Sequence, residues 1–299
     1  MSSIRIGLMS DVHVEFDVDW QKRIRRAGPS DDLSLLEELD AEVGHPKRGP
    51  DLRPLKAAAV DLFLLAGDIG VGLDAIAYAD QAAQYLDVDV FAVSGNHEAY
   101  NRYLPKFTGE VRAAAAATNG RVSYLERDRV DRLIRGQRVA IFGATLWTDY
   151  SLHGAGQASM FVARERMKDY RKIRYSNGRF LPQHARAIHL ATRQWLSDAM
   201  LQARAENDWV VIMTHHAPIP DAVGPADRDD TAPAYATDLR PQIESWQPDL
   251  WVWGHTHYGY EGQLGKTLLR SAPRGYVGVQ SIARTFSPGI IELVGRRHG

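Results

Sequence analysis

Residues 61–98 have the sequence DLFLLAGDIGVGLDAIAYADQAAQYLDVDVFAVSGNHE, and this stretch decides the fold class. Its first apolar run, residues 61–66, is typical of a buried strand and ends directly before a Gly-Asp pair. An Ala-rich segment with helical spacing follows at residues 73–86, and a second apolar run, residues 88–93, leads into a Ser-Gly-Asn-His sequence. Strand, helix and strand in this order predict a βαβ unit with two parallel strands.

Similar elements occur on both sides of this stretch. Residues 4–9 form a short apolar run that predicts a buried strand, and a long amphipathic pattern at residues 184–205 predicts a helix. Because the elements show no linker and no repeat, we expect one α/β domain over residues 1–299, with a helical excursion or cap at residues 150–185. Further helices are predicted at 108–118 and 241–246, and further strands at 122–125, 130–134, 139–142, 209–213, 250–253, 267–269 and 290–294.

The composition is that of an ordinary globular protein and excludes several classes of function. The 299 residues are 44% apolar and 24% charged with a net charge of -1, so no global field favours long nucleic acid as a partner. The chain has no cysteine, which excludes disulfides and thiolate metal sites and leaves nitrogen and oxygen ligands. The N-terminal residues are too short and too interrupted for a secretory signal, and no apolar run approaches the about 18 residues of a membrane span. We therefore expect a cytoplasmic protein with no membrane partner.

Five short motifs spread over the chain share one chemistry. They are Asp-x-His at residues 11–13, Gly-Asp at 67–68, Gly-Asn-His-Glu at 95–98, His-His at 215–216 and Gly-His-x-His at 254–257. Most of them directly follow a predicted strand, and open α/β sheets bind ligands at the carboxyl ends of their strands. Each motif alone is weak, but carboxylates, imidazoles and an amide oxygen delivered to one place suit a pair of divalent metal ions. A binuclear metal-dependent hydrolase is therefore the leading interpretation.

In order and in residue type, these motifs resemble the calcineurin-like metallophosphoesterases, whose pattern is D-x-H, G-D, G-N-H-[D/E], H and G-H-x-H. The match extends over residues 11–257. The resemblance implies an α/β fold, a four-layer αββα sandwich of two mixed β-sheets flanked by helices, with the metal site at the strand ends. It also implies two divalent or mixed-valence metal ions as cofactors, and Mn, Fe, Zn, Co and Ni all remain open.

The same resemblance implies the ligands residue by residue. Asp68 would bridge the two ions, and His215 is favoured over His216 as a ligand because it follows the predicted strand more directly. His216 then lies in the pocket or behind the ligand. The first ion would be bound by Asp11, His13, Asp68 and His257, and the second by Asp68, Asn96, His215 and His255.

His97 is the predicted catalytic residue. In the family pattern this histidine binds no metal; it faces the substrate and donates a proton to the leaving group. Many members have G-D-x-x-D, in which the second Asp can orient that histidine, whereas this chain has Val71 at the corresponding position. We expect Asp74 or a backbone carbonyl to orient His97 instead. Contact with a phosphate oxygen alone is the alternative role for His97.

Four residues are candidates for contacting the substrate. His216 and Trp147 follow predicted strands, Tyr258 follows the last motif, and Arg25 belongs to a basic run after the first motif. The functional interpretation of the aromatic side chains is stacking on a ring of the substrate, and that of the basic run is binding of an anion. Packing between the sheets for Trp147 and a solvated helix face for the basic run are the structural alternatives. A second basic run, residues 164–174, contains interleaved acidic residues and predicts an ordinary exposed helix.

The predicted reaction is hydrolysis of a phosphoester by a metal-activated hydroxide that attacks phosphorus in line. A small or nucleotide-type phosphodiester is the first choice of substrate, and a phosphomonoester is the second. A nuclease is less favoured because the chain is not basic. A non-catalytic scaffold of the same fold is disfavoured because every predicted ligand and His97 are present. The oligomeric state remains open.

Overall fold

The protein contains two large β-sheets flanked by helices. The computed structural model describes residues 3–27 and 31–295, so residues 1–2, 28–30 and 296–299 of the predicted domain lie outside the described residues. The strands are β1 (Ser3–Met9), β2 (Leu62–Leu65), β3 (Val90–Ala92), β4 (Val122–Tyr124), β5 (Asp128–Ile134), β6 (Gln137–Ala144), β7 (Arg174–Tyr175), β8 (Gly178–Arg179), β9 (Trp209–Thr214), β10 (Leu250–Trp253), β11 (Tyr260–Leu264), β12 (Thr267–Ser271) and β13 (Gly289–Val294). The α-helices are α1 (Val14–Ala27), α2 (Asp31–Ala41), α3 (Arg53–Ala57), α4 (Asp74–Leu86), α5 (Leu104–Ala116), α6 (Gly156–Arg166), α7 (Asp169–Lys172), α8 (Pro182–Glu206) and α9 (Arg240–Trp246).

Both large sheets mix parallel and antiparallel strands. The first has the order β13-β1-β2-β3-β4, in which β1 to β4 are parallel and β13 is antiparallel to β1. The second has the order β11-β12-β10-β9-β6-β5, in which the four central strands are parallel and the two edge strands are antiparallel. The predicted pair of mixed sheets flanked by helices is therefore confirmed.

Alternation along each strand builds the layers, because successive strand side chains point to opposite faces. Leu64 of β2 and Val211 of β9 lie in the apolar layer between the sheets. Their neighbours face outwards: Phe63 packs in a cluster with residues of α4 and α5, and Ile212 packs with residues of α8 and α9. Both faces of the central strands are therefore buried, which accounts for their continuous apolar runs.

The predicted elements are confirmed, with shifts at their boundaries. The helix predicted at 108–118 is α5, which begins at Leu104 with a proline in its first turn, and the helix predicted at 184–205 is α8, which also has a proline in its first turn. Helix α2 was not predicted, because it lies on the surface and has only a weak apolar face. Residues 150–185 contain α6, α7 and the β7–β8 hairpin.

Within the described residues, no helix combines the length and the apolar character needed to cross a membrane.

The layer between the sheets yields a stability prediction. Leu250 is fully buried there, so Leu250→Ala should lower the free energy of unfolding by about 2–5 kcal/mol through lost burial and a residual cavity. Leu133→Ala on the edge strand β5, where the side chain is 73% exposed, should change it by less than about 0.5 kcal/mol. Urea denaturation measures both. Equal effects of the two substitutions would contradict this layer assignment.

Candidate metal centre

The five motifs lie in loops at the carboxyl ends of parallel strands. Asp11 and Asp68 follow β1 and β2, and the backbone N–H of Asp11 donates to the Gly67 carbonyl at 2.9 Å, which joins the two loops. The loops after β9 and β10 are joined in the same way, since the Gly254 N–H donates to the His215 carbonyl at 3.0 Å. Parallel pairing thus brings residues far apart in the chain to one edge.

Five of the predicted ligands have left-handed backbone conformations. Non-glycine residues rarely adopt a positive φ, and such strain is concentrated at functional sites. The φ values are 51° for Asp11, 52° for His13, 54° for Asp68, 68° for His255 and 46° for His257.

One group of donor atoms comes from Asp11, His13 and His257, whose ligand atoms all lie within 4.8 Å of one another. The Nε2 atoms of the two histidines are 3.2 Å apart, and His257 Nε2 is 3.4 Å from Asp11 Oδ1. Two imidazole nitrogens at this distance repel one another through their lone pairs unless a proton or a cation lies between them. This group has the nitrogen and oxygen donors of a divalent-metal site.

A second group comes from Asp68, His215 and His255, again with ligand atoms within 4.8 Å of one another. His215 Nε2 is 3.5 Å from Asp68 Oδ1 and 3.1 Å from the Asn96 side-chain oxygen. The Nε2 atom of His255 is buried and has no hydrogen-bond partner among the residues that the structure describes. A buried ring nitrogen without a partner is costly in a protein interior, and a metal ion is the partner it fits.

Asp68 lies between the two groups. Its Oδ1 faces His215, whereas its Oδ2 is 3.9 Å from His13 Nε2, which belongs to the first group. Although burial opposes ionisation, the neighbouring imidazoles of His215 and His97 hold the pKa of Asp68 well below its usual range. In return, Asp68 raises the pKa of His215 to about 9 despite burial. Asp68 is therefore a permanent anion between the two groups.

Glycine is required where the backbone passes the donor atoms. A Cβ on Gly95 would overlap Asp68 Oδ1 and the His215 ring, and a Cβ on Gly67, which has a φ of 86°, would overlap the same ring. The two donor groups, the unpartnered His255 nitrogen and these close approaches together fit a pair of divalent ions.

Hydrogen bonds from behind orient the predicted ligands. His215 Nδ1 donates to the Ala66 carbonyl at 2.9 Å, and His257 Nδ1 donates to the Gln280 side-chain oxygen at 2.7 Å, so Nε2 of each ring is left for a metal. Asn96 donates through Nδ2 to Asp169 at 2.8 Å, which turns its carbonyl oxygen towards His215. Asp169 is in α7, so residues 150–185 help to hold a predicted ligand.

Glu98 organises the backbone under the site. Its buried carboxylate accepts the N–H groups of Asp68 at 3.1 Å, Ile69 at 2.8 Å and Gly95 at 2.8 Å, which ties the second motif to the third. Burial and the charge of Asp68 raise the pKa of Glu98 to about 8, whereas the backbone donors favour its ionised form. From the sequence, Glu98 had no predicted role beyond its place in the motif.

His97 lies beside the two groups of donor atoms and contacts Glu15. Its Nδ1 is 3.2 Å from Glu15 Oε1, its Nε2 is 3.3 Å from the Tyr276 hydroxyl, and its backbone N–H donates to Asp68 Oδ1 at 2.8 Å. Burial lowers the pKa of His97, but the negative charges of Asp68 and Glu15 outweigh burial and raise it. His97 Nδ1 thus faces Glu15, whereas Asp74, one of the two groups expected to orient the ring, pairs with Arg48 at 3.1 Å.

A cavity of about 230 Å³ opens over the donor atoms. Its walls combine five of the predicted site residues with groups that were not assigned to the site from the sequence; the five are Asp68, Asn96, His97, His255 and His257. The new lining residues are Tyr100, Arg166, Met167, Lys168, Asp227, Tyr235, Thr256, Tyr276 and Gln280. Arg166 and Lys168 belong to the basic run at residues 164–174. The interpretation of that run as an ordinary exposed helix was incomplete, because these two residues line the cavity.

The four predicted substrate contacts are not among the residues that line this cavity. His216 is buried behind His255 with ring centroids 4.1 Å apart, and burial lowers its pKa to about 3. Trp147 is buried against Phe180 in the cluster on the outer face of the first sheet, so it packs in a core but not between the sheets.

The other two candidates, Tyr258 and Arg25, lie on the surface. Tyr258 is 39% exposed and lies close to Gly224, while Arg25 pairs with Asp40 at 2.6 Å on the exposed face of α1 and α2. The basic run around Arg25 therefore lies on a solvated face of α1, as the structural alternative predicted.

Comparisons with known proteins agree with this fold and these motifs. The model of the family described as calcineurin-like phosphoesterase matches residues 4–259. A comparison with curated proteins found no match. Among solved structures, the phosphopantetheinyl hydrolase PptH from Mycobacterium tuberculosis is similar, with a TM-score of 0.67 and 17% identity over 99% of this chain and 97% of that chain. The protein TT1561 of Thermus thermophilus has a TM-score of 0.51 and 10% identity over 96% of this chain and 99% of that chain. At such identities the two structures show the fold alone, whereas the family match covers most of the chain. The chain belongs to the calcineurin-like phosphoesterase family.

Proposed function

We propose that this protein is a binuclear metal-dependent phosphodiesterase that hydrolyses a small organic diester. The observation that carries the proposal is the position of Asp68, whose two oxygens face two separate groups of histidine donors. One ion would be held by Asp11, His13, Asp68 and His257, and the other by Asp68, Asn96, His215 and His255. Two bound divalent ions supply Lewis-acid activation of the phosphoester and of the attacking water.

The chain's own residues supply orientation and a proton. His97 lines the cavity and is the predicted donor of a proton from Nε2 to the leaving oxygen. The Tyr276 hydroxyl, 3.3 Å from that nitrogen, marks the side of the cavity where the leaving group would lie. Asp169 holds the Asn96 amide in position, and Gln280 does the same for His257.

The wall of the cavity favours a diester. Tyr100, Tyr235 and Tyr276 line it and offer apolar ring faces for organic groups on both oxygens of a diester. The fold is also that of a protein named phosphopantetheinyl hydrolase, which is consistent with an organic phosphoester as substrate. A monoester is the second candidate, because Arg166 and Lys168 line the same cavity and would stabilise the dianion of a monoester.

The first test separates these two candidates. Apo-protein reconstituted separately with Mn, Zn, Fe, Co and Ni should hydrolyse bis(p-nitrophenyl) phosphate with at least about tenfold higher kcat/KM than p-nitrophenyl phosphate. A reversed preference would replace the diesterase by a phosphomonoesterase. Silence with every metal, despite two bound ions, would favour a scaffold or a different class of substrate.

A second prediction concerns Asp68. Asp68→Asn removes the charge shared by both donor groups, so both metal occupancies should fall and turnover should drop by about 100-fold or more. Asp74→Asn is the matched control, because that carboxylate is 49% exposed and pairs at the surface with Arg48. Elemental analysis and turnover of both variants give the result. Wild-type metal content with normal turnover in Asp68→Asn would refute the bridging role.

A further inference from the structure

We propose that Glu15 is the positioning residue for His97 and takes the place of the second Asp of the G-D-x-x-D form. This inference rests on the proposed function, in which His97 protonates the leaving group. It assigns a role to a residue that lies outside all five sequence motifs.

The geometry is a carboxylate shared by two imidazoles. Glu15 Oε1 is 3.2 Å from Nδ1 of His97 and 3.2 Å from Nδ1 of His13. An ionised carboxylate only accepts hydrogen bonds, so each ring carries its proton on Nδ1 at this contact. Nε2 of His97 is thereby directed to the cavity, and Nε2 of His13 is directed to the first metal group.

Glu15 has no other salt-bridge partner in the part of the chain that the structure describes. Its ion pairs there are with the two histidines, and no arginine or lysine lies within salt-bridge distance. Its side chain is only 20% exposed, and its Oε2 is buried with no hydrogen-bond partner within residues 3–27 and 31–295. A carboxylate that is largely withdrawn from water and directed at two imidazoles is unlike an ordinary surface acid.

The position that the family motif uses for this purpose is filled by an apolar residue. Val71 packs against the apolar cluster on the outer face of the first sheet, and Asp74 pairs with Arg48. Among residues 3–27 and 31–295, Glu15 alone has a carboxylate oxygen within 4.0 Å of His97 Nδ1. The orienting acid has thus moved from the loop after β2 to the first turn of α1.

A buried ion pair holds that turn in place. Asp17, two residues after Glu15, pairs with Arg274 at 2.7 Å and 2.9 Å, and Arg274 also donates to the Val12 carbonyl at 3.1 Å. Tyr276, two residues after Arg274, brings its hydroxyl to Nε2 of His97. One anchor therefore sets both neighbours of the His97 ring, Glu15 on one nitrogen and Tyr276 on the other.

The test is the dependence of turnover on the leaving group. The substrates are bis(p-nitrophenyl) phosphate, with a good leaving group, and diphenyl phosphate, with a poor one, at saturating Mn. The variants are Glu15→Ala, Glu15→Gln, His97→Ala and the double variant Glu15→Ala/His97→Ala, with Asp74→Ala as the matched control. Metal content and circular dichroism are measured for each.

We expect Glu15→Ala to behave as a weaker His97→Ala. Its kcat should fall less than about 10-fold for the nitrophenyl diester but about 100-fold for diphenyl phosphate, with KM within about twofold, because a proton donor matters most for a poor leaving group. The double variant should be no slower than His97→Ala. Glu15→Gln keeps an acceptor oxygen and should recover at least about 10-fold of the loss. Asp74→Ala should match the wild type.

Three results would overturn the inference. Equal losses for both substrates, or losses that multiply in the double variant, would show that Glu15 does not act through His97. Loss of metal in Glu15→Ala and Glu15→Gln would limit its role to His13. If His97→Ala itself shows no dependence on the leaving group, the proton-donor role in the proposed function fails as well, which separates that failure from failure of the Glu15 assignment alone.

Discussion

The buried carboxylate of Asp68 is the constraint on which the rest of the site depends. It is 2% exposed, it lies among His13, His97 and His215, and it remains ionised there. A buried anion is costly unless cations or hydrogen-bond donors surround it. Among the described residues, one buried ring nitrogen of the site, Nε2 of His255, has no hydrogen-bond partner, and the Nε2 atoms of His13 and His257 lie 3.2 Å apart. Two metal ions would satisfy all of these groups at once.

The fold makes this concentration of polar groups possible by placing it at a strand edge. Parallel pairing in both sheets brings the loops after β1, β2, β3, β9 and β10 to the same edge, while the layer between the sheets stays apolar. The loops after β2 and β3 are held together by hydrogen bonds that their backbone N–H groups donate to the Glu98 carboxylate. Asp169 and Gln280, from segments outside the motifs, then orient individual ligands. The surrounding structure therefore offsets the strain of the left-handed turns that direct the donor atoms.

Local sequence patterns were sufficient for the central strands of both sheets and for the groups that follow them, but not for the edge strand β11. The central strands are buried on both faces, so their continuous apolar runs are visible in the sequence, as are the polar residues directly after them. The lining of the cavity could not be predicted in this way. Tyr276 and Lys168 come from loops whose path depends on tertiary contacts, and Trp147 follows a strand yet faces the core. Glu15 contacts His97 across 82 positions of the chain, and only the packing of α1 against the first sheet's loops shows that contact.

Binding of Asp68 to two metal ions at once can be observed by anomalous diffraction from crystals of the wild-type protein loaded with Mn. We expect two peaks, one beside His13 and His257 and one beside His215 and His255, with Asp68 contacting both. A single peak, or two peaks of which only one contacts Asp68, would contradict the binuclear centre.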